Sequence, residues 1–150
     1  VAIFDFDGHH GDGTETLLGD LPNVLTYSVH QDGIFPGSGQ FSDPSRDVFN
    51  RPLSADAGSA QFVEAAHDFT MKAKRFQPSM IFIAAGADGH ADDPLTQLQY
   101  NTGAYASVGN LLRTEFPRLP VLGRGAGGYR PDDATPTVWT EFALALAASD

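Results

Sequence analysis

The sequence predicts an α/β fold, a parallel sheet with helices on both faces, built as a single domain over residues 1–150. Three observations carry this expectation. Short apolar runs of strand length alternate with longer segments of helical periodicity. The runs are nearly continuous in hydrophobicity, as strands buried on both faces are. Polar residues gather just after them, where open parallel sheets bind ligands.

The elements follow in order. Val1 to Phe6 reads as a buried strand that ends in acid at Asp5 and Asp7. His9 to Thr14 is a turn, Thr14 to Leu18 a short helix, and Val24 to His30 a second strand. Residues 31–57 are rich in Gly, Pro, Asp and Ser and read as a long loop, with Phe35 and Phe49 arguing that parts of it pack. Ser59 to Phe76 is a helix with Phe62, Ala66, Phe69, Ala73 and Phe76 on one face, Ser59 as its N-cap and Pro78 beyond its end. Met80 to Ala85 is a third strand, Leu98 to Glu115 a helix, Leu119 to Leu122 a fourth strand and Thr137 to Ala148 a closing helix, with Trp139 expected in the core.

Composition narrows the function. Hydrophobic residues are 41% and charged residues 19%, the balance of a globular chain. Nine Lys and Arg against nineteen Asp and Glu give a net charge of −10, which disfavours nucleic acid. No apolar run is long enough to cross a membrane. With no cysteine there can be neither disulfides nor thiolate zinc sites. The chain shows neither a Met start nor a signal peptide, and Val1 already lies in a strand. It is therefore expected to begin within a larger domain, to be cytoplasmic, and to be poorly stable alone because the strand at 1–6 would lack upstream neighbours.

The chemistry concentrates at strand ends. Asp5, Asp7 and His9 follow the first strand, Ser28 and His30 close the second, Asp88 and His90 follow the third and Tyr129 the fourth. Residues two apart on an extended stretch point to one side, so Asp7 and His9 can share an ion, with Asp88 as a third ligand. Two carboxylates, one imidazole and an open position make a catalytic zinc arrangement, although other divalent transition metals suit the same donors. Read without a site, Asp7 caps a turn and His9 is a surface histidine. His30 is expected to be structural, and His90 to shape the loop near the metal.

Three blocks carry a resemblance. Asp5-Phe-Asp-Gly-His-His-Gly-Asp-Gly-Thr14, Ala85-Gly-Ala-Asp-Gly-His-Ala-Asp-Asp-Pro-Leu95 and Gly127-Gly-Tyr129 resemble, in order, blocks of the histone deacetylase and acetylpolyamine amidohydrolase superfamily. The Phe35-Pro36-Gly37 loop also matches. The resemblance implies part of an arginase/deacetylase-like three-layer fold and a zinc-dependent amidohydrolase acting on acetyl-lysine or other acetylated amines. It implies Asp7, His9 and Asp88 as metal ligands and Tyr129 as the catalytic phenol that hydrogen-bonds the substrate carbonyl. Phe35, Leu95 and Gly127 would line the substrate site. Asp5 and Asp12 would orient two catalytic histidines. Asp5, Ser28 and the main-chain carbonyls of Asp7, His9 and Val29 would hold a structural potassium ion.

The departures matter as much. The family's tandem catalytic histidines lie upstream of the first block, and His9-His10 is not that pair. The expected partner is therefore the remainder of the deacetylase domain, or another subunit, without which the chain alone is expected to be inactive. Ala87 stands where the family has an aromatic residue.

Two other readings compete. Phe4-Asp-Phe-Asp-Gly8 resembles the start of haloacid-dehalogenase-type phosphatases, with Asp5 as nucleophile, Asp7 as acid, Lys72 or Lys74 and Asp92-Asp93 as later elements, and magnesium as the ion. A degenerate deacetylase-like domain that only binds is the other.

Overall fold

The computed structural model describes residues 1–148, so the last two residues of the expected 1–150 domain lie outside the described residues. Five strands, β1 (Ala2–Asp5), β2 (Leu25–Gln31), β3 (Val48–Leu53), β4 (Ile81–Ala85) and β5 (Val121–Gly125), form one sheet in the order β3-β2-β1-β4-β5. Every pairing is parallel. Four α-helices connect and cover them: α1 (Asp12–Leu18), α2 (Ser59–Phe76), α3 (Thr102–Glu115) and α4 (Ala134–Ala147). The expected α/β architecture is present. Among the described residues, no helix is long and apolar enough to cross a membrane.

The register sorts the side chains onto two faces. Phe4 stands beside Tyr27 and Ile83, and Ile3 beside Thr26 and Phe82. On the first face Phe4 stacks on Phe69 of α2, while Phe6 meets Phe62 of α2, Tyr105 of α3 and Phe142 of α4. Three helices therefore close one apolar core, which is where the face of α2 read from its phenylalanine spacing comes to lie. On the second face Ile3, Asp5, Thr26 and Ser28 line one small cavity together with Thr14 and Glu15 of α1.

Sequence expectations are corrected at several elements. The loop 31–57 contains β3, an edge strand that tolerates Pro52 because only one of its sides is paired. The segment from Leu98 to Asn101 is extended rather than helical: Gln99 N donates to Ala57 O and Tyr100 N to Gly89 O, and α3 starts only after Asn101, whose side chain accepts from Ala104 N. The N-cap of α2 is Gly58, and its N–H donates to the Gln61 side chain, while Ser59 is the first helical residue and accepts from Asn101 N. β1 is the central strand and is paired on both sides by later strands of this same chain, β2 and β4.

The strand order explains where a site can form. The chain winds outward from β1 through β2 to β3, then returns to lay β4 against the other side of β1. The connections after β1 and β4 therefore leave in opposite directions and open a crevice at the carboxyl ends of those two strands.

Candidate metal centre

The stretch after β1 is shaped by its own carboxylates. Asp7 N donates to Asp5 Oδ1 at 3.0 Å, and His9 N donates to Asp7 Oδ1 at 2.9 Å. Each aspartate thus accepts the amide two residues on, the local turn that Asp favours. The alternation Asp-x-Asp-x-His is a chain of such turns rather than a continued strand, yet it converges Asp7 and His9 as expected. His9 Nδ1 lies 3.1 Å from Asp7 Oδ1.

Asp88 arrives from the end of β4 across the crevice. It is fully buried, accepts Gly8 N on Oδ1 at 2.8 Å, and sets Oδ2 2.9 Å from His9 Nδ1. Thr96 Oγ1 donates to the Asp88 carbonyl at 2.5 Å. From the end of β5, Gly127 N donates to Asp7 Oδ2 at 2.5 Å. A side chain at Gly127 would run into both carboxylates, and one at Gly86 into the backbone of Asp7, so these two positions require glycine for closeness.

The ligand atoms of Asp7, His9 and Asp88 all lie within 4.8 Å of one another. The electrostatics are those of a site that wants a cation. Hydrogen bonding to Asp88, opposed by burial, raises His9 to about 9, so its ring carries the positive charge here. Burial raises Asp88 to about 6 and Asp5 to about 7. One imidazole and two carboxylates, fixed by backbone amides, fit a divalent transition ion. Such an ion would replace the proton on His9.

The other expected site residues fall as follows. Asp5 is buried beneath Gly11, whose absent side chain would sit 2.5 Å from Asp5 Oδ2. Asp12 is exposed at the start of α1 and accepts Gly13 N. Neither touches an imidazole among the described residues. Ser28 lies beside Asp5 across the β1–β2 pairing, accepts Gly11 N at 3.3 Å and meets His30 Nδ1 at 2.9 Å, and Val29 is buried next to it. Phe35 is 80% exposed and Leu95 is exposed as well. Tyr129 is 46% exposed; burial first, then the charges of Asp88, Asp7 and Asp93, push its phenol upward. His90 is no ligand and meets Thr102 Oγ1 at 3.2 Å. Trp139 is half-exposed rather than core, with Nε1 donating to Ala85 O.

Sequence reasoning missed three participants. Thr96 braces Asp88. Buried His10 meets Ser38 Oγ at 2.8 Å and Glu15 Oε2 at 3.0 Å, which ties the turn after β1 to the loop that carries Phe35. Asp93 accepts two backbone amides. The phosphatase constellation, by contrast, is not assembled: Lys72 is paired with Asp68 and Lys74 with Glu115, while Asp92 is exposed.

Comparison with known proteins agrees with this fold. The histone deacetylase domain family matches residues 1–146. Acetoin utilization protein AcuC of Bacillus subtilis is 32% identical over 161 residues, taking in 100% of this chain and 42% of that protein. Histone deacetylase 14, chloroplastic, of Arabidopsis thaliana is 36% identical over 114 residues, covering 72% of this chain and 27% of that one. Among solved structures, acetylpolyamine aminohydrolase from Burkholderia pseudomallei superposes with a TM-score of 0.87 at 26% identity, over 98% of this chain and 44% of that one. The histone deacetylase Clr3 superposes with a TM-score of 0.85 at 28% identity, over 97% and 26%. The chain spans less than half the length of each of these relatives. It belongs to the histone deacetylase domain family.

Proposed function

We propose that this chain carries the metal-binding part of a zinc-dependent amidohydrolase that removes acetyl or other acyl groups from acylated amines, with acetyl-lysine and acetylpolyamines as the substrate classes. The convergence of Asp7, His9 and Asp88 at the β1–β4 crevice carries this reading. When bound there, zinc supplies Lewis-acid polarisation of the acyl carbonyl. Tyr129 donates its O–H to that carbonyl oxygen. Phe35 and Leu95 wall the path of the amine's alkyl stem, and Gly127 keeps the floor open while its amide holds Asp7.

Asp5 and Asp12 orient the general-base histidines, which the remainder of the deacetylase domain or a partner subunit supplies. Asp5, Ser28 and the main-chain carbonyls of Asp7, His9 and Val29 would hold a structural potassium ion, their oxygens being a donor set suited to a hard cation. Burial of Asp5 next to Asp7 supports that role, because a cation there offsets two crowded carboxylates. The reading includes a cytoplasmic location, which cell fractionation tests.

Elemental analysis after zinc loading and gel filtration tests the centre. About one zinc per chain is expected, lost in a folded Asp88→Asn variant. A folded wild-type chain that retains no transition metal would overturn the reading and leave a deacetylase-like domain that only binds.

A further inference from the structure

Tyr27, Tyr100 and Tyr105 are buried, whereas Tyr129 is 46% exposed. The backbone that carries it is held amide by amide. Gly127 N donates to Asp7 Oδ2, Tyr129 N to Asp93 Oδ2 at 2.8 Å and Arg130 N to Thr135 Oγ1 at 3.1 Å. Between them Gly128 is wedged against Ala87 and Thr135, where a side chain would clash.

Asp93 is the unusual member of this set. It is buried, and its position on the turn after β4 is fixed by its own amide, which donates to His90 O at 2.9 Å. Its two oxygens take two different donors: Oδ1 accepts Leu95 N at 2.9 Å and Oδ2 accepts Tyr129 N. One buried carboxylate thus joins segments 36 residues apart in the chain.

We propose that Asp93 is a positioning residue that fixes Tyr129 relative to Leu95, and so sets the distance between the carbonyl-binding phenol and the wall of the substrate path. The meaning of that distance for catalysis rests on the proposed amidohydrolase function; the tether itself does not. The chemistry singles out a carboxylate. Asparagine has the same shape but only one acceptor oxygen, and its NH₂ group would face one of the two backbone donors. A near-isosteric, uncharged replacement therefore breaks the double tether without leaving a cavity.

Fluorine NMR of the chain labelled with 3-fluorotyrosine reads this directly, with Tyr129→Phe assigning the exposed signal. In Asp93→Asn the Tyr129 signal is expected to move alone toward that of free fluorotyrosine. The three buried tyrosine signals and the zinc content stay as in the wild type. An unmoved Tyr129 signal in a folded variant overturns the proposal. Amide exchange in the unsubstituted chain is a second test, independent of whether the variant folds. The Tyr129 and Leu95 amides are expected to exchange at least about 10-fold more slowly than an unstructured peptide. Free-peptide rates at both would overturn the tether. Loss of zinc binding in the wild type would sink the metal reading while leaving both of these readouts intact.

Discussion

Phe4 is sealed between Tyr27, Phe69 and Phe6, while Ile3, one residue earlier on the same strand, looks across half-buried Phe82 to Leu122, which is 54% exposed. The first row belongs to the face covered by α2, α3 and α4. The second belongs to the face that α1 covers only in part. Toward β2 that second face is polar, with Thr26, Ser28, His30 and Asn50 on it; toward β5 it is open, with Leu122 and Arg124 both exposed on it. An all-parallel sheet is stable only where both faces are covered. The contrast teaches that one face supplies the stability of this chain, and that the other supplies the supports of the site.

The largest effect that would sharpen this contrast is on the closed face. Phe69→Ala removes a ring stacked 4.5 Å from Phe4 at full burial. It is expected to cost about 3–5 kcal/mol in urea unfolding, through lost transfer energy and the cavity left behind.

The second effect is a pH dependence of the polar face. Burial first, then the charge of His10, lower His30 to about 4, against the smaller opposing influence of Gly39 O, Asp32 and Glu15. The unfolded chain takes up a proton near pH 6.5 that folded His30 refuses. The His30 contribution to stability therefore falls as the pH drops from about 6.5 to about 4, by about 3 kcal/mol in all, while the raised carboxyls of Asp5 and Asp88 contribute in the opposite sense over the same range. Urea titrations of the wild type and His30→Gln should therefore differ by a gap that changes with pH across that window. A gap independent of pH would mean that this face is wetter than its packing indicates.

The smallest effect is on the open side. Leu122→Ser is expected to change the stability of the chain by no more than about 0.5 kcal/mol. A loss comparable to that of Phe69→Ala would break the contrast and show that β5 is covered in solution.

The legible parts of the fold were those where periodicity and burial agree. α2 was readable to the residue because five apolar side chains repeat at helical spacing and Pro78 stands beyond its end. β3 was hidden because Val48-Phe-Asn-Arg-Pro-Leu53 alternates poorly and contains a proline, which an edge strand accepts and a central strand does not. Leu98 and Tyr100 are both buried, two residues apart, a spacing that belongs to extended chain but was absorbed into the neighbouring helix. In the site, the clustering of Asp7, His9 and Asp88 followed from strand ends. The work of Asp93 and Thr96 did not, because each acts on a backbone atom: Thr96 on the Asp88 carbonyl 8 residues back, and Asp93 on the Tyr129 amide, which reaches it only once β4 and β5 lie side by side. The same holds for His10, whose role depends on a loop that returns to it from Ser38.

The reversal of strand order at β1 also says something about time. Gly8 reaches Asp88 across 80 residues and Gly127 reaches Asp7 across 120. No local hairpin or helix brings these groups together, so their loop-closure entropy must be overcome before any of their contacts is gained. The candidate centre is thus a late product of folding, absent from every partly folded state in which β4 has not docked. Capture of an ion by the nascent chain would report that the sheet is complete through its middle strand, and premature chelation by the first block alone would lack both Asp88 and the amide of Gly127.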